Sequence, residues 1–437
     1  MTKEQRMIRT AVLSLLLACT AAPLSAEVIG TMEPAPALTE ERLAQLDPEL
    51  QAQWREYLAR SAAAMERDKA VLAAERQSLH EAGQSVPPPP PEARNAETLP
   101  LDREPAWYAG AEARAAADNV VSYQTPTGGW GKNQDRSAPP RQPGQSFIGS
   151  DAKAGPYAAE DGAGGWRFVG TLDNDATTSE IAFLARVQGH LPGAEGEPYR
   201  ESLLEGVRYL LEAELPGGGW PQVYPLHGGY SDMLTFNDDV LLKATGLLQE
   251  VAAGEGDYAF VPPPVRAQAA AAVARAMAIL LDTQVMVNGR RTIWAQQYDP
   301  LTREPVGARN FEPIALATGE SASALAFVMR QGEPDPAMRA AIEAGASWFA
   351  SHALRDVAWK QAGAEEGRRL VAEPGARPLW ARFYDLDTQR PIFGDRDRSI
   401  HSDVNDISLE RRNGYSWFNR SGEAVARTYE RWRDRAG

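Results

Sequence analysis

Cysteine is nearly absent from this chain of 437 residues: Cys19 is the only one. No internal disulfide is available, so stability must come from packing. Histidine is sparse as well. His80, His190, His227, His352 and His401 show no metal-ligand spacing with one another. Four familiar signatures are missing: HExxH, paired CxxC, GxSxG and the P-loop. These gaps exclude zinc enzymes of the usual kinds and argue against a histidine-based hydrolase. Positive charge is also short, with 45 Lys and Arg against 59 Asp and Glu and a formal net charge of −14. Such a chain is a poor general nucleic-acid binder, because a phosphate backbone attracts cations. An acidic ligand would need a local cationic site set against the mean field.

Long apolar runs are lacking except near the start. Residues 11–22 are apolar, too short to span a bilayer, and follow a segment carrying Lys3, Arg6 and Arg9. Residues 1–26 therefore read as a signal peptide. Two processing readings compete: ordinary cleavage after Ala26, and a lipoprotein box, Leu16-Leu17-Ala18-Cys19, that would anchor the chain through Cys19. Either one exports the protein, to the periplasm, the outer membrane or the medium. No other stretch reads as a membrane span. A hydrophobic share of 43% and a mean hydropathy of −0.41 suit a soluble fold, and a monomer is expected.

Residues 27–36 read as loose chain. From Leu38 to Glu81 the apolar residues Leu43, Leu46, Leu50, Trp54, Leu58, Met65, Val71 and Leu72 fall at helical spacing, with Pro48 expected to break or restart the helix. A helical arm packed on the main body is one reading, a partner-binding coiled coil the other. Five prolines at 87–91 end the arm. The division is thus a helical extension and proline spacer over residues 27–100 and a catalytic domain over residues 101–437. In the latter, helical stretches are expected at 104–124, 175–188, 199–214, 236–253, 265–284, 312–329 and 336–353. Between them come similar turns, Gly128-Gly129-Trp130-Gly131-Lys132 and Gly218-Gly219-Trp220-Pro221-Gln222, with degenerate copies at Ile293-Trp294-Ala295-Gln296 and Leu379-Trp380-Ala381-Arg382. Helix pairs joined by such turns around a ring describe a mainly α fold, a partial α/α toroid. Each Trp reads either as turn packing or as a sugar-stacking platform. After Val357 the pattern breaks into loops and short strands, with a last helix at 422–435.

Two oxygen-rich clusters precede helices: Asp173-Asn174-Asp175-Ala176-Thr177-Thr178-Ser179-Glu180 and Thr235-Phe236-Asn237-Asp238-Asp239. They suit a hard cation such as calcium, or plain helix capping. Arginine recurs at Arg309 and through the tail, where residues 368–412 hold nine Arg and eight Asp or Glu. A guanidinium fork matches a carboxylate; surface Arg–Asp pairing is the alternative.

Gly129-Trp130-Gly131-Lys132-Asn133, the two acidic clusters, Gly219-Trp220-Pro221-Gln222, Ala308-Arg309 and Arg390-Pro391-Ile392-Phe393 together, in this order, resemble the polysaccharide lyase family ten pectate lyases. The resemblance runs from about Trp54 to the C-terminus. It implies a partial α/α toroid, calcium, and β-elimination of de-esterified homogalacturonan to unsaturated oligogalacturonides. It also implies Arg309 as the base and Asp173, Asn174, Asp238 and Asp239 as metal ligands. Lys132, Arg382, Arg390, Arg396 and Arg398 are the expected substrate-binding cations. Calcium and neighbouring cations are expected to lower the proton affinity of Arg309. Two rivals stay open. Gln124-Thr125-Pro126-Thr127-Gly128-Gly129-Trp130 matches the turn motif of toroidal terpenoid cyclases, which an aromatic-lined pocket would favour. A non-catalytic acidic-glycan-binding protein on the same toroid is the other.

Overall fold

The structure, a computed structural model, describes residues 27–149 and 170–436. The expected signal peptide, with Cys19, lies outside them. Pro48–Glu81 is one helix of 34 residues. Pro48 begins it rather than breaking it, since the first helical position needs no N–H. The Asp47 carboxylate caps it, accepting from the amides of Glu49 and Leu50 at 3.1 and 3.0 Å. Trp54, Tyr57, Ser61, Ala64, Asp68 and Leu72 recur every three or four residues and are buried along one face. Trp54 and Tyr57 join the principal core, so this helix is an arm packed on the body. Polar ties fix it there. The Tyr57 hydroxyl donates to the Ala213 carbonyl at 3.0 Å, and Asp68 accepts from the amide and hydroxyl of Thr127 at 2.9 and 2.7 Å. Residues 27–36, expected to be loose, include a strand: Val28–Thr31 pairs antiparallel with Ser399–His401, which also pairs with Phe393–Gly394. β-Branched Val28, Ile29 and Thr31 suit that extended backbone.

The helices of the body follow the expected order: Ala111–Ser122, Thr178–Gly189, Glu197–Ala213, Val240–Ala253, Pro263–Asp282, Thr318–Val328, Pro336–Ser351 and Ser421–Ala436. Successive members pack as pairs, Thr178–Gly189 on Glu197–Ala213 and Val240–Ala253 on Pro263–Asp282. In Glu197–Ala213 the residues Leu203, Val207 and Leu210 form a buried stripe. Gly206 sits on it because a Cβ there would lie 2.7 Å from Ile181 and 2.8 Å from Trp130. Pro263–Asp282 is long and apolar enough to cross a membrane, contrary to the expectation that no stretch beyond the N-terminal segment is. It is a member of a helix pair here: Ala269, Ala272, Ala276, Ile279 and Leu280 are buried, and Arg275 forks onto Glu214 at 2.8 and 2.6 Å.

The tryptophan turns close the pairs. Each indole N–H donates to a carbonyl of an earlier helix: Trp130 to Val120 (2.7 Å), Trp220 to Leu210 (2.8 Å), Trp294 to Leu280 (2.7 Å) and Trp380 to Phe349 (3.0 Å). All four rings are buried, which makes them packing elements and leaves no face for a sugar. Short antiparallel contacts lace successive turns together: Thr171 with Val223, Leu234–Thr235 with Gln297–Tyr298, and Leu316–Ala317 with Phe383–Tyr384. The result is a mainly helical, toroid-like ring whose turns meet. Beyond it the tail forms short strands, the longest pair being Val357–Gly363 with Gly367–Ala372, and no closed sheet exists among the described residues.

Candidate active site

The residue two places after each tryptophan decides what the ring presents. Lys132, Gln222, Gln296 and Arg382 all line one cavity of about 330 Å³. Fixing the indole fixes the turn, and the turn aims the second residue inward.

One wall is acidic. Asp173–Asp175 and Asn237–Asp239 each form a single tight turn just before a helix. Asn174, Asp175, Asp238 and Asp239 have φ of 51°, 68°, 53° and 61°, a left-handed backbone that costs non-glycine residues about 1–3 kcal/mol each. Helix capping does not explain these acids, because neither following helix has a side-chain cap. The turns instead bring Asp173, Asn174, Asn237 and Asp238 to the cavity. Asp173 and Asp238 line the cavity together, close enough for each carboxylate to perturb the other. Burial and the Asp173 carboxylate push Asp238 upward in pKa, whereas Asp173 is held low: burial opposes its charge, but the Lys132 ammonium bonded to it prevails. Lys243 ties the two turns, donating to the Asp175 carboxylate and, at 2.9 Å, to the Asp238 carbonyl. Asp239 does not line the cavity; its carboxylate accepts from Ser323 at 3.2 Å. Among the described residues, no group of three or more His, Cys, Asp or Glu side chains is placed to hold a metal ion.

The other wall is cationic. Arg309 opens a turn that Glu312 closes, with the Glu312 amide donating to the Arg309 carbonyl at 2.7 Å. The buried Glu312 carboxylate takes Nε of Arg309 at 2.9 Å, Nη2 at 2.5 Å and the Tyr415 hydroxyl at 2.5 Å. Burial opposes the guanidinium charge, yet Glu312 outweighs it and holds Arg309 protonated beyond its ordinary range. The nearest charge to Arg309 is thus an anion, whereas the expected lowering of its proton affinity rests on calcium and neighbouring cations. Arg382 donates to Glu320 at 2.9 Å and reaches Asn237 at 3.4 Å. Its guanidinium lies 4.9 Å from the Tyr415 ring centre, and that of Arg309 lies 5.8 Å from it.

Arg390, Arg396 and Arg398 stand outside this cavity. Arg390 and Arg398 are exposed, and Arg396 pairs with Glu410 at 3.2 Å and lies over Phe311. Gln222, Tyr230, Gln296, Glu312 and Tyr415 line the cavity without having been singled out from sequence. The glutamines carried a signal, the second place after Trp; Tyr415, which meets Glu312 across 103 residues, carried none. Gln124 of the cyclase-like turn is structural, its side-chain amide donating to the carbonyls of Gly128 and Ser202 at 2.8 and 2.9 Å. The cavity is polar rather than aromatic-lined, which disfavours the cyclase reading.

Fold and site define a helical toroid-like enzyme with a polar cavity whose Lys132, Arg309 and Arg382 suit an acidic ligand. Comparison with known proteins makes this specific. The family model for pectic acid lyase matches residues 124–426. A family 10 polysaccharide lyase from Cellvibrio cellulosa is 30% identical, with a TM-score of 0.61, over 78% of this chain and 98% of that one. A mutant of the lyase from that organism, in complex with trigalacturonic acid, is also 30% identical, with a TM-score of 0.62, over 77% and 98%. No curated protein matches. The chain belongs to the pectic acid lyase family, and its activity is that of a pectate lyase.

Proposed function

We propose that the enzyme cleaves de-esterified homogalacturonan by calcium-assisted β-elimination in the cavity between the acidic and cationic walls. The observation that carries this reading is that Asp173 and Asp238 share one cavity with Arg309 and Arg382. Two neighbouring buried carboxylates repel, and a hard divalent cation would relieve that repulsion. Two acids with Asn174 and Asn237 make an incomplete calcium shell, which suits an ion that draws its remaining oxygens from substrate carboxylates and water. When bound there, calcium supplies positive charge against the negative charge that builds on a uronate carboxylate as its neighbouring proton leaves.

The residues around it have separate tasks. Lys132 and Arg382 bind uronate carboxylates, Arg382 as a fork. Arg309 faces the reacting unit from the cationic wall. Its role as base requires substrate binding to draw it from Glu312, so that a neutral fraction can form. The Glu312 pairing favours a second role, in which Arg309 stays charged and stabilises the carboxylate as charge develops on it. No water attacks in an elimination, so an acid pair of the glycosidase kind has no work here. Arg390, Arg396 and Arg398 belong at most to outer positions along the polymer. We place the catalytic domain over residues 101–437, read residues 27–100 as its extension, and propose that the enzyme is exported and acts as a monomer. The test is incubation with polygalacturonate while the ultraviolet absorbance of an unsaturated product is followed. Calcium-dependent growth of that absorbance is expected, and its full persistence in excess EDTA would end the calcium reading.

A further inference from the structure

We propose that Gln222 and Gln296 are substrate-binding residues that read the hydroxyl groups of a uronate unit and so set the sugar specificity of the cavity. The proposal rests on the lyase reading of this site and goes beyond its charged residues. Both side chains line the cavity and are more than nine-tenths buried, at 5% and 6% exposure. Neither amide makes a hydrogen bond to any described residue, and Oε1 of Gln296 is buried without a partner. A buried polar atom left unpaired is costly; Gln134, Gln284 and Gln297 also carry such atoms, but none of these lines the cavity. The other cavity amides are engaged: Asn174 donates to Asn133 at 3.3 Å, and Asn237 donates to Asp238 at 2.9 Å.

Their backbones, by contrast, are pinned. The Gln222 amide donates to Ser231 at 2.9 Å, and its carbonyl accepts from Leu172 at 2.9 Å. The Gln296 carbonyl accepts from Phe236 and Asn237 at 3.0 and 3.1 Å. Two idle amides are thus held on rigid supports, at equivalent places in two successive turns, between the cations of the first and fourth. The repeat reads cation, amide, amide, cation. Lys132 and Arg382 answer carboxylates. A neutral amide, both donor and acceptor, answers hydroxyls. A site built to hydrogen-bond a hydroxyl rejects the ligand that fails to present it.

Gln222→Met and Gln296→Met in the full chain keep the volume and remove the polar group. Three quantities are measured: the melting temperature, KM and kcat on polygalacturonate, and inhibition by a mannuronic acid trimer, which carries the same charge with other hydroxyl configurations. Melting temperatures are expected to hold or rise, because no hydrogen bond is lost in the free protein. KM should rise about three- to tenfold for each variant, with inhibition by the mannuronate trimer unchanged. An unchanged KM would overturn the proposal. So would a lowered melting temperature, or equal weakening toward both sugars, since these mark a structural role. Absence of turnover in the unmutated chain would instead remove the lyase reading itself.

Discussion

The two walls of the cavity are compensated differently. On the cationic wall each guanidinium already has its anion: Arg309 has Glu312, and Arg382 has Glu320. On the acidic wall Asp173 has Lys132, whereas the Asp238 carboxylate has a side-chain amide of Asn237 and, among the described residues, no ion pair. The cationic wall is built to keep arginines charged and aimed. The acidic wall is built in left-handed backbone and leaves the Asp238 carboxylate without a cation of its own. A cation completes the second, and an anion arriving at the first must compete with carboxylates already in place.

The sharpest way to break this contrast is Arg309→Ala. Turnover should fall by a factor on the order of a thousand or more, while affinity for trigalacturonic acid changes by about tenfold or less, roughly 1.4 kcal/mol. A binding loss large enough to explain the whole defect would make Arg309 a clamp only. Next come Asp173→Ala and Asp238→Ala, each expected to lower turnover by a factor of about a hundred or more at fixed calcium and to weaken calcium binding in calorimetry. Melting should stay within a few degrees; wholesale unfolding would count against a site completed by the ligand.

Glu312→Gln sharpens the cationic side. It removes the anion that keeps Arg309 protonated, so a base role predicts a pH–rate profile displaced toward lower pH. A purely electrostatic role predicts a loss of about tenfold with the profile unmoved. The smallest effect concerns the arm. Burial raises the Asp68 carboxyl to about 6, above its ordinary value, although Thr127 donates to it twice. The folded state then binds the proton more tightly than the unfolded one. Stability from this group is full below about pH 4 and is lost as pH rises through about 6. Asp68→Asn should flatten that slope in thermal melts taken from pH 4 to pH 7; an unchanged slope would remove Asp68 as its source.

Much of the ring was legible because its signals are local. A tryptophan after glycine needs a turn, and a stripe of Leu203, Val207 and Leu210 needs a helix. The acidic turns were visible for the same reason, although spacing alone did not separate ligation from capping. What escaped depends on closure of the ring. Tyr415 reaches Glu312 only because the tail folds back over the Arg309 turn, and no local pattern records that. Arg396 and Arg398 looked equivalent to Arg382 in the alternating tail. Position separates them: Arg382 stands two residues after a buried Trp, whereas Arg396 and Arg398 lie in the turn before Ser399–His401. The strand at residues 28–31 was missed because its partner lies at the far end of the chain.

The central claim is that bond cleavage here is an elimination assisted by calcium. Mass spectrometry of trigalacturonic acid digested by the full chain tests it most directly. The account predicts product pairs whose masses sum to that of the substrate, one member carrying the unsaturation, formed with calcium and suppressed by EDTA. Products heavier in sum by one water, or the same yield in EDTA, would contradict it.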